Sequence, residues 1–379
     1  MKSAFAREWC ALKRKSMIHA IAGGAAIAAA LAGIFLYPAQ CGEGVRRGLM
    51  MCGSLVIPSL FPFMALCEFI GYSGWSARLG RWASPVTRRL FGIRAPVGAA
   101  VVMGFIGGYP VGARSTAALY RDGMIGREEA RRMLCFCVNG GPAFVMSAVG
   151  VGMLRSPATG WLLLLVHWLS SLLLGAGLGR IWSRRPPRDW AEEGPIADVN
   201  PGRRMSLSEA FVEGTASASS GMFSICAFVI LFSGVLSLLG ALPLREGTVR
   251  VLSALLETTS GCREMAAVGA PLPLISAALG FGGICVHFQV LSCAGEFRPR
   301  LPLFLLCRAA HAGLSYLLCS LAVRLIPGTV PAISNAVNPV FAGMASTVPA
   351  SAALLCTAAV LLLCPITRPP DDGCGRFMQ

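Results

Sequence analysis

An all-α polytopic membrane protein is the fold class this sequence predicts, and three observations predict it. Hydrophobic residues make up 55% of the chain and charged residues 13%, against roughly 25% charged in a soluble domain, and the mean hydropathy is +0.65. The arginines behind the net charge of +15 cluster in short loops between apolar runs, a pattern that reports membrane topology and not nucleic-acid binding. Two apolar segments are each interrupted by glycine, at Gly104-Phe-Ile-Gly-Gly-Tyr-Pro-Val-Gly-Ala113 and at Gly280-Phe-Gly-Gly-Ile-Cys-Val-His-Phe288. Backbone broken at membrane depth survives only where protein or a wet cavity satisfies its polar groups, and paired breaks point to a transporter's binding site.

The N-terminal Lys13-Arg14-Lys15 precedes an apolar run from Met17 to Ala39. That run is longer than the roughly 7 to 15 residues of a signal-peptide core, so it reads as a retained helix with a cytoplasmic N-terminus. Residues 1–45 form this tail and first helix. The segment 49–72 then returns the chain to Arg78, Arg81, Arg88, Arg89 and Arg94. The next apolar piece, 95–113, leads to Arg114, Arg121, Arg127, Arg131 and Arg132, so both flanks belong on one side. A re-entrant hairpin satisfies this, with Gly98, Gly104, Gly107, Gly108, Pro110 and Gly112 making the bend. Crossings at 133–154 and 157–182 complete a first unit, 46–182.

The basic linker 183–208 carries Pro186-Pro187 and Asn200-Pro201-Gly202 without apolar periodicity. A second unit, 209–366, repeats the order: a long crossing (210–242), an amphipathic stretch (246–264), a glycine-broken segment (265–293) and crossings at 301–326 and 345–366. Its first crossing runs outward, so the expectation is an inverted-topology repeat with two re-entrant or broken hairpins. Gly104-Phe-Ile-Gly-Gly can be laid on Gly280-Phe-Gly-Gly, and a second alignment sets Asn139 opposite His311. Residues 367–379 are a polar tail.

Several polar residues stand out. Glu257, with Thr258, Thr259 and Ser260 beside it, could hold a proton or a sodium ion, accept from a ligand N–H, or simply end a helix near Arg263 or Arg250. Arg308 and His311, three apart, share a helix face. An arginine inside a crossing costs at least ~2.5 kcal/mol on insertion scales and marks a pore or bundle interior, unless its stem lets it snorkel to the interface. Asn139-Gly-Gly-Pro142 interrupts its crossing, because proline removes a backbone donor. Glu68 is expected to face headgroups. His287 and Gln289 could hydrogen-bond a planar ligand, and Tyr109 and Phe281 could flank its ring. With Gly107, Gly108, Gly282 and Gly283 at the breaks, these make the candidate binding set.

Fifteen cysteines lie mostly singly in apolar runs and read as small buried hydrophobes. Cys135-Phe-Cys137 lacks a second pair, which argues against zinc. No metal or cofactor is expected beyond a coupling proton or sodium ion. Absence of a His-Glu-x-x-His motif or paired aspartates within the apolar segments argues against a membrane-embedded enzyme. The expected partners are a small-molecule substrate and the lipid bilayer; no nucleic acid is expected, and a homo-oligomer stays open.

Five motifs in order, Pro58-Ser-Leu-Phe-Pro-Phe63, Gly107-Gly-Tyr-Pro-Val-Gly-Ala113, Arg132-Met-Leu-Cys-Phe136 leading to Asn139, Leu256-Glu-Thr-Thr-Ser-Gly-Cys262 and Gly280-Phe-Gly-Gly283 to Gln289, resemble the YlbJ-type sporulation integral membrane proteins. The resemblance runs from about Leu49 to Val323. It implies two nucleoside-recognition (Gate) domains and a fold similar to concentrative nucleoside transporters. It also implies a multi-pass location in the mother-cell or forespore membrane and transport of dipicolinate. A nucleoside or nucleobase permease, and a non-transporting scaffold for spore envelope assembly, are the alternatives.

Overall fold

The computed structural model describes residues 24–25, 27–93, 97–184, 205–297 and 299–325, with no strand among them. The crossing at 345–366, the tail 367–379, most of the linker 183–208 and the first 23 residues lie outside the described residues. Five helices are long and apolar enough to cross a membrane.

Two very long helices form one flank. After the short α1 (Ile27–Leu36), α2 runs from Pro38 to Tyr72 and α9 from Leu207 to Gly240. Pro38 starts α2, since a proline at a first helical position loses no bonded N–H. Sequence reading stopped the crossing at Leu49 because Gln40, Glu43, Arg46 and Arg47 are polar. The helix carries them, with Arg46 pairing to Glu43 one turn away at 2.8 Å. A π-helical turn at Cys52–Val56 interrupts α2 beside the cavity described below. A reciprocal capping box fixes the start of α9: Ser206 Oγ accepts from Glu209 N–H, and the Glu209 carboxylate accepts from Ser206 N–H.

The two helices pack antiparallel along their length, and small residues let them. A Cβ on Gly44 would lie 2.6 Å from the Ser233 carbonyl, one on Gly48 2.8 Å from Ile230 Cα, and one on Gly214 2.8 Å from Phe69 N. This is how helices meet in lipid, where close backbone approach replaces a hydrophobic driving force.

The remaining helices hold the interrupted backbone. α3 (Trp75–Phe91) is amphipathic and basic, and α4 (Gly98–Gly107) packs against it. The chain reverses at Gly108, φ 90° and ψ −176°, into α5 (Tyr109–Arg121). The arms lie so close that a Cβ on Gly104 would be 3.2 Å from Gly112 Cα. A hairpin thus forms where the sequence predicts one. α6 (Arg127–Cys137) gives way to extended residues 138–142 and then to the π-wound α7 (Ala143–Met153), which packs on α8 (Pro157–Arg184).

In the second half the hairpin is not where the glycines place it. α10 (Glu246–Leu256) and α11 (Thr258–Ala267) fold back on each other at Glu257, with Gly261 against Ala254. By contrast, α12 (Leu272–Phe281) and α13 (Gly283–Cys293) follow one another as a single 22-residue apolar span, jogged by consecutive positive-φ residues Gly282 (85°) and Gly283 (72°). The segment 265–293, expected as a hairpin, is therefore a broken span, and the amphipathic stretch 246–264 folds as the hairpin. Its turn was hidden because a glutamate, and no glycine, makes it. α14 (Leu301–Leu325) runs unbroken and packs on α12 and α8.

Each half now reads as a long helix, a hairpin, a broken helix and a long helix, with α3 extra in the first. In this order Gly108 corresponds to Glu257, and the break at 138–142 to Gly282. Setting Asn139 opposite His311 does not fit, because His311 lies within the continuous α14.

Gly48→Val should wedge α2 from α9. Overpacking typically costs about 1–3 kcal/mol, so the variant should show a lower melting temperature in detergent, whereas Gly53→Val, where a Cβ meets nothing within 4 Å, should not.

Candidate functional site

All four interruptions meet at one place. A Cβ on Gly108 would lie 3.4 Å from Gly141 N, one on Gly282 3.4 Å from the Tyr109 ring, and one on Gly283 3.0 Å from Thr258 N. Tyr109 ties the two halves together, its hydroxyl donating to the Leu279 carbonyl at 2.7 Å.

An interrupted helix leaves carbonyls at one stump and amides at the other without intrahelical partners. At the ends of α6 and α12 the carbonyl stumps are closed by side chains. Arg308 donates from Nη1 to Val138 O at 2.5 Å and from Nη2 to Cys135 O at 2.6 Å. Phe136 O accepts from Ser171 Oγ at 2.6 Å and from Asn139 Nδ2 at 2.8 Å. In the second half, His287 Nε2 donates to Phe281 O at 2.8 Å, and Leu279 O has Tyr109. A buried guanidinium at a helix C-terminus also faces the negative end of the peptide dipoles, so α14 supplies the charge that the end of α6 needs.

The amide stumps point the other way, into a cavity. It is lined by Gly107, Gly108, Tyr109 and Pro110 at the start of α5, and by Gly141, Ala143 and Phe144 at the start of α7. Glu257, Thr258 and Thr259 at the start of α11, with Cys285, Val286 and Gln289 on α13, form the opposite wall. Val56, Leu60 and Phe63 of α2 and Ile225 and Val229 of α9 close the apolar side. Its volume is about 50 Å³, enough for a few waters and too little for an aromatic metabolite until the tips part.

Glu257 occupies one amide stump itself. Its carboxylate accepts from Thr259 N–H at 2.8 Å and Ser260 N–H at 2.6 Å, and the residue is 2% exposed. An acid in this position caps α11 and is favoured by the helix dipole. At the break in α6–α7, Gly140 N–H donates to His167 Nε2 at 2.8 Å, and the His167 ring packs against that of His311, centroids 4.6 Å apart. Thr258 Oγ1 is buried at the cavity wall with no hydrogen-bond partner among the described residues.

Of the residues singled out from sequence, Gly107, Gly108, Tyr109, Glu257, Thr258 and Gln289 line the cavity. Asn139, Ser260, Phe281, Gly282, Gly283, Arg308 and His311 form the shell behind it. Sequence reasoning missed Phe63, Phe144, Ile225, Val229, Cys285 and Val286, which are apolar and look like any other core residue. Phe63, Cys285 and Val286 stood inside noted stretches, but as apolar positions carried no signal of their own. Glu68 does not face headgroups: Arg114 Nη1 lies 3.3 Å from its Oε1, and Ser217 Oγ donates to its Oε2 at 3.2 Å, pinning hairpin arm α5 to the α2–α9 pair. No group of three or more metal-ligating side chains forms among the described residues.

Residues 54–172 match the Gate family, described as nucleoside recognition; the match spans most of the first half, from α2 to α8. The chain is 27% identical over 309 residues to the sporulation integral membrane protein YlbJ of Bacillus subtilis (strain 168), covering 73% of this chain and 76% of that one. Both findings bear out the resemblance read from the motifs. No solved structure matches.

Arg308→Met should leave the Cys135 and Val138 carbonyls unpaired at a cost of about 1–3 kcal/mol for a buried unsatisfied group. The expected readout is a lowered melting temperature in detergent, partly restored in Arg308→Lys. Unchanged stability would show that Arg308 is not the cap described.

Proposed function

We propose that the chain is a membrane transporter for a small anionic or heterocyclic metabolite, dipicolinate in sporulating cells, and that the cavity at the four breaks is its binding site. The observation that carries this is the division of the stumps: the carbonyl ends of α6 and α12 are closed by side chains, whereas the first residues of α5, α7 and α11 line the cavity. A helix start presents partial positive charge, the arrangement that binds carboxylates and phosphates. Aromatic Tyr109, Phe144 and Phe63 would flank a ring.

The two halves are read as inverted. In support, their first helices, α2 and α9, run antiparallel, and their hairpin tips, Gly108 and Glu257, line the same cavity. With the N-terminal tail cytoplasmic, α4–α5 re-enters from the cytoplasm and α10–α11 from the opposite side. Parting of one tip at a time gives alternating access, driven by a proton or sodium gradient. Sporulation is named for the relative YlbJ, which favours the mother-cell or forespore membrane as the location.

One observation favours a second reading. Glu257 and Gln289 line the cavity while Arg308 is committed to backbone carbonyls. A carboxylate and an amide recognise the edge of a base, so a nucleoside or nucleobase permease fits them, in keeping with the description of the matched family.

Proteoliposomes loaded under sodium or proton gradients and offered dipicolinate or uridine separate the readings. Dipicolinate uptake supports the first and uridine uptake the second; no flux of either leaves the scaffold role. Gly108→Val and Gly283→Val force a β-branched side chain onto positive φ, at a cost of order 1–3 kcal/mol, and Val at 283 also meets Thr258. Both variants should reach the membrane and lose at least about tenfold in uptake, a change of 1.4 kcal/mol in barrier. Wild-type flux in either would sink the assignment of this cavity.

A further inference from the structure

A second cavity, of about 410 Å³, lies on the other side of α11, enclosed by the first half of α2, the last turns of α9 and hairpin α10–α11. Of its lining only Ser260 belongs to a motif discussed above, and the cavity is large enough for a small ligand. α11 is the wall between the two cavities. Thr258 and Thr259 face the first, and Ser260, Arg263 and Glu264, spaced to share one helix face, face the second.

The lining has the chemistry of an anion site. Arg47 from α2 and Arg263 from α11 bring two guanidinium groups, against the single carboxylate of Glu264. Arg47 Nη2 already donates to Ser237 Oγ at 2.9 Å, and Ser237 Oγ donates onward to Gln40 O at 2.7 Å. The other nearby acid, Glu43, is held by both Nε and Nη2 of Arg46 at 2.8 Å, leaving Arg47 only a 3.9 Å approach to it. Two hydroxyls in the wall, Ser253 Oγ at 0% residue exposure and Ser233 Oγ at 8%, have no hydrogen-bond partner among the described residues. A buried hydroxyl without a partner costs about 1–3 kcal/mol. Arginine pairs with hydroxyls beside them recognise the oxygens of a carboxylate or phosphate.

We infer that this cavity is a separate anion-binding site, taking a phosphate or carboxylate group between Arg47 and Arg263 with Ser233 and Ser253 as supporting donors. The group comes either from a free anion or from an anionic lipid headgroup that reaches the cavity between the long helices. The site is coupled to the first cavity through α11, because the N–H of Ser260 that holds Glu257 belongs to a residue of the second wall.

The test uses the full chain in nanodiscs of phosphatidylcholine, titrated with inorganic phosphate at constant ionic strength or prepared with added phosphatidylglycerol, with melting temperature as the readout. Wild type should be stabilised by at least one of the two. Phosphate alone identifies a free-anion site and phosphatidylglycerol alone a headgroup site. R47Q/R263Q should weaken the apparent affinity by about tenfold or more, and R47K/R263K should recover part of it, which separates lost charge from a misfolded variant. Gly108→Val, at a residue outside this cavity's wall, should still show a shift even if the proposed transport reading fails. An undiminished shift in R47Q/R263Q, or no shift with either probe in wild type, overturns the inference.

Discussion

Every feature of the site follows from one constraint: backbone groups exposed by a broken helix must find partners where water is scarce. Four interruptions in one bundle expose many such groups, and the protein resolves the two polarities differently. Carbonyl ends are tied off by Arg308, Ser171, Asn139, Tyr109 and His287. The amide ends converge, and Glu257 serves only one of them. What results is a mostly apolar cavity whose polar wall is made of helix starts with Glu257, Thr258, Thr259 and Gln289, and with no lysine or arginine.

Small residues make that convergence sterically feasible. Gly104 and Gly112 let the arms of the first hairpin close with the Cys137 carbonyl between them, and Gly108 rests on Gly141. On the far flank, Gly44, Gly48 and Gly214 bring α2 and α9 into backbone contact. The ion pair of Glu68 and Arg114, with Ser217, then links the hairpin to that pair.

The membrane class, the first hairpin and the break at 138–142 were legible because glycine, proline and arginine carry local signals: conformational freedom, a missing donor and a preference for one side of the bilayer. The second hairpin was not. Its tip is Glu257, whose carboxylate does by capping what glycine does by flexibility, and capping cannot be distinguished in sequence from an interfacial glutamate. Arg308 was rightly placed in the interior, but its partners are carbonyls, and backbone acceptors leave no trace in sequence. The apolar half of the cavity was invisible for the reason any core is: Ile225 and Val229 differ from their neighbours only in what they face.

The proposed ligand site is where the helix starts meet. A cryo-electron microscopy difference map of the protein in nanodiscs, with and without saturating dipicolinate or uridine, tests it most directly. The account predicts ligand density in contact with the first turns of α5, α7 and α13 and with Tyr109, in a cavity wider than that of the closed form. Density confined to another part of the molecule, with this cavity unchanged, would contradict it.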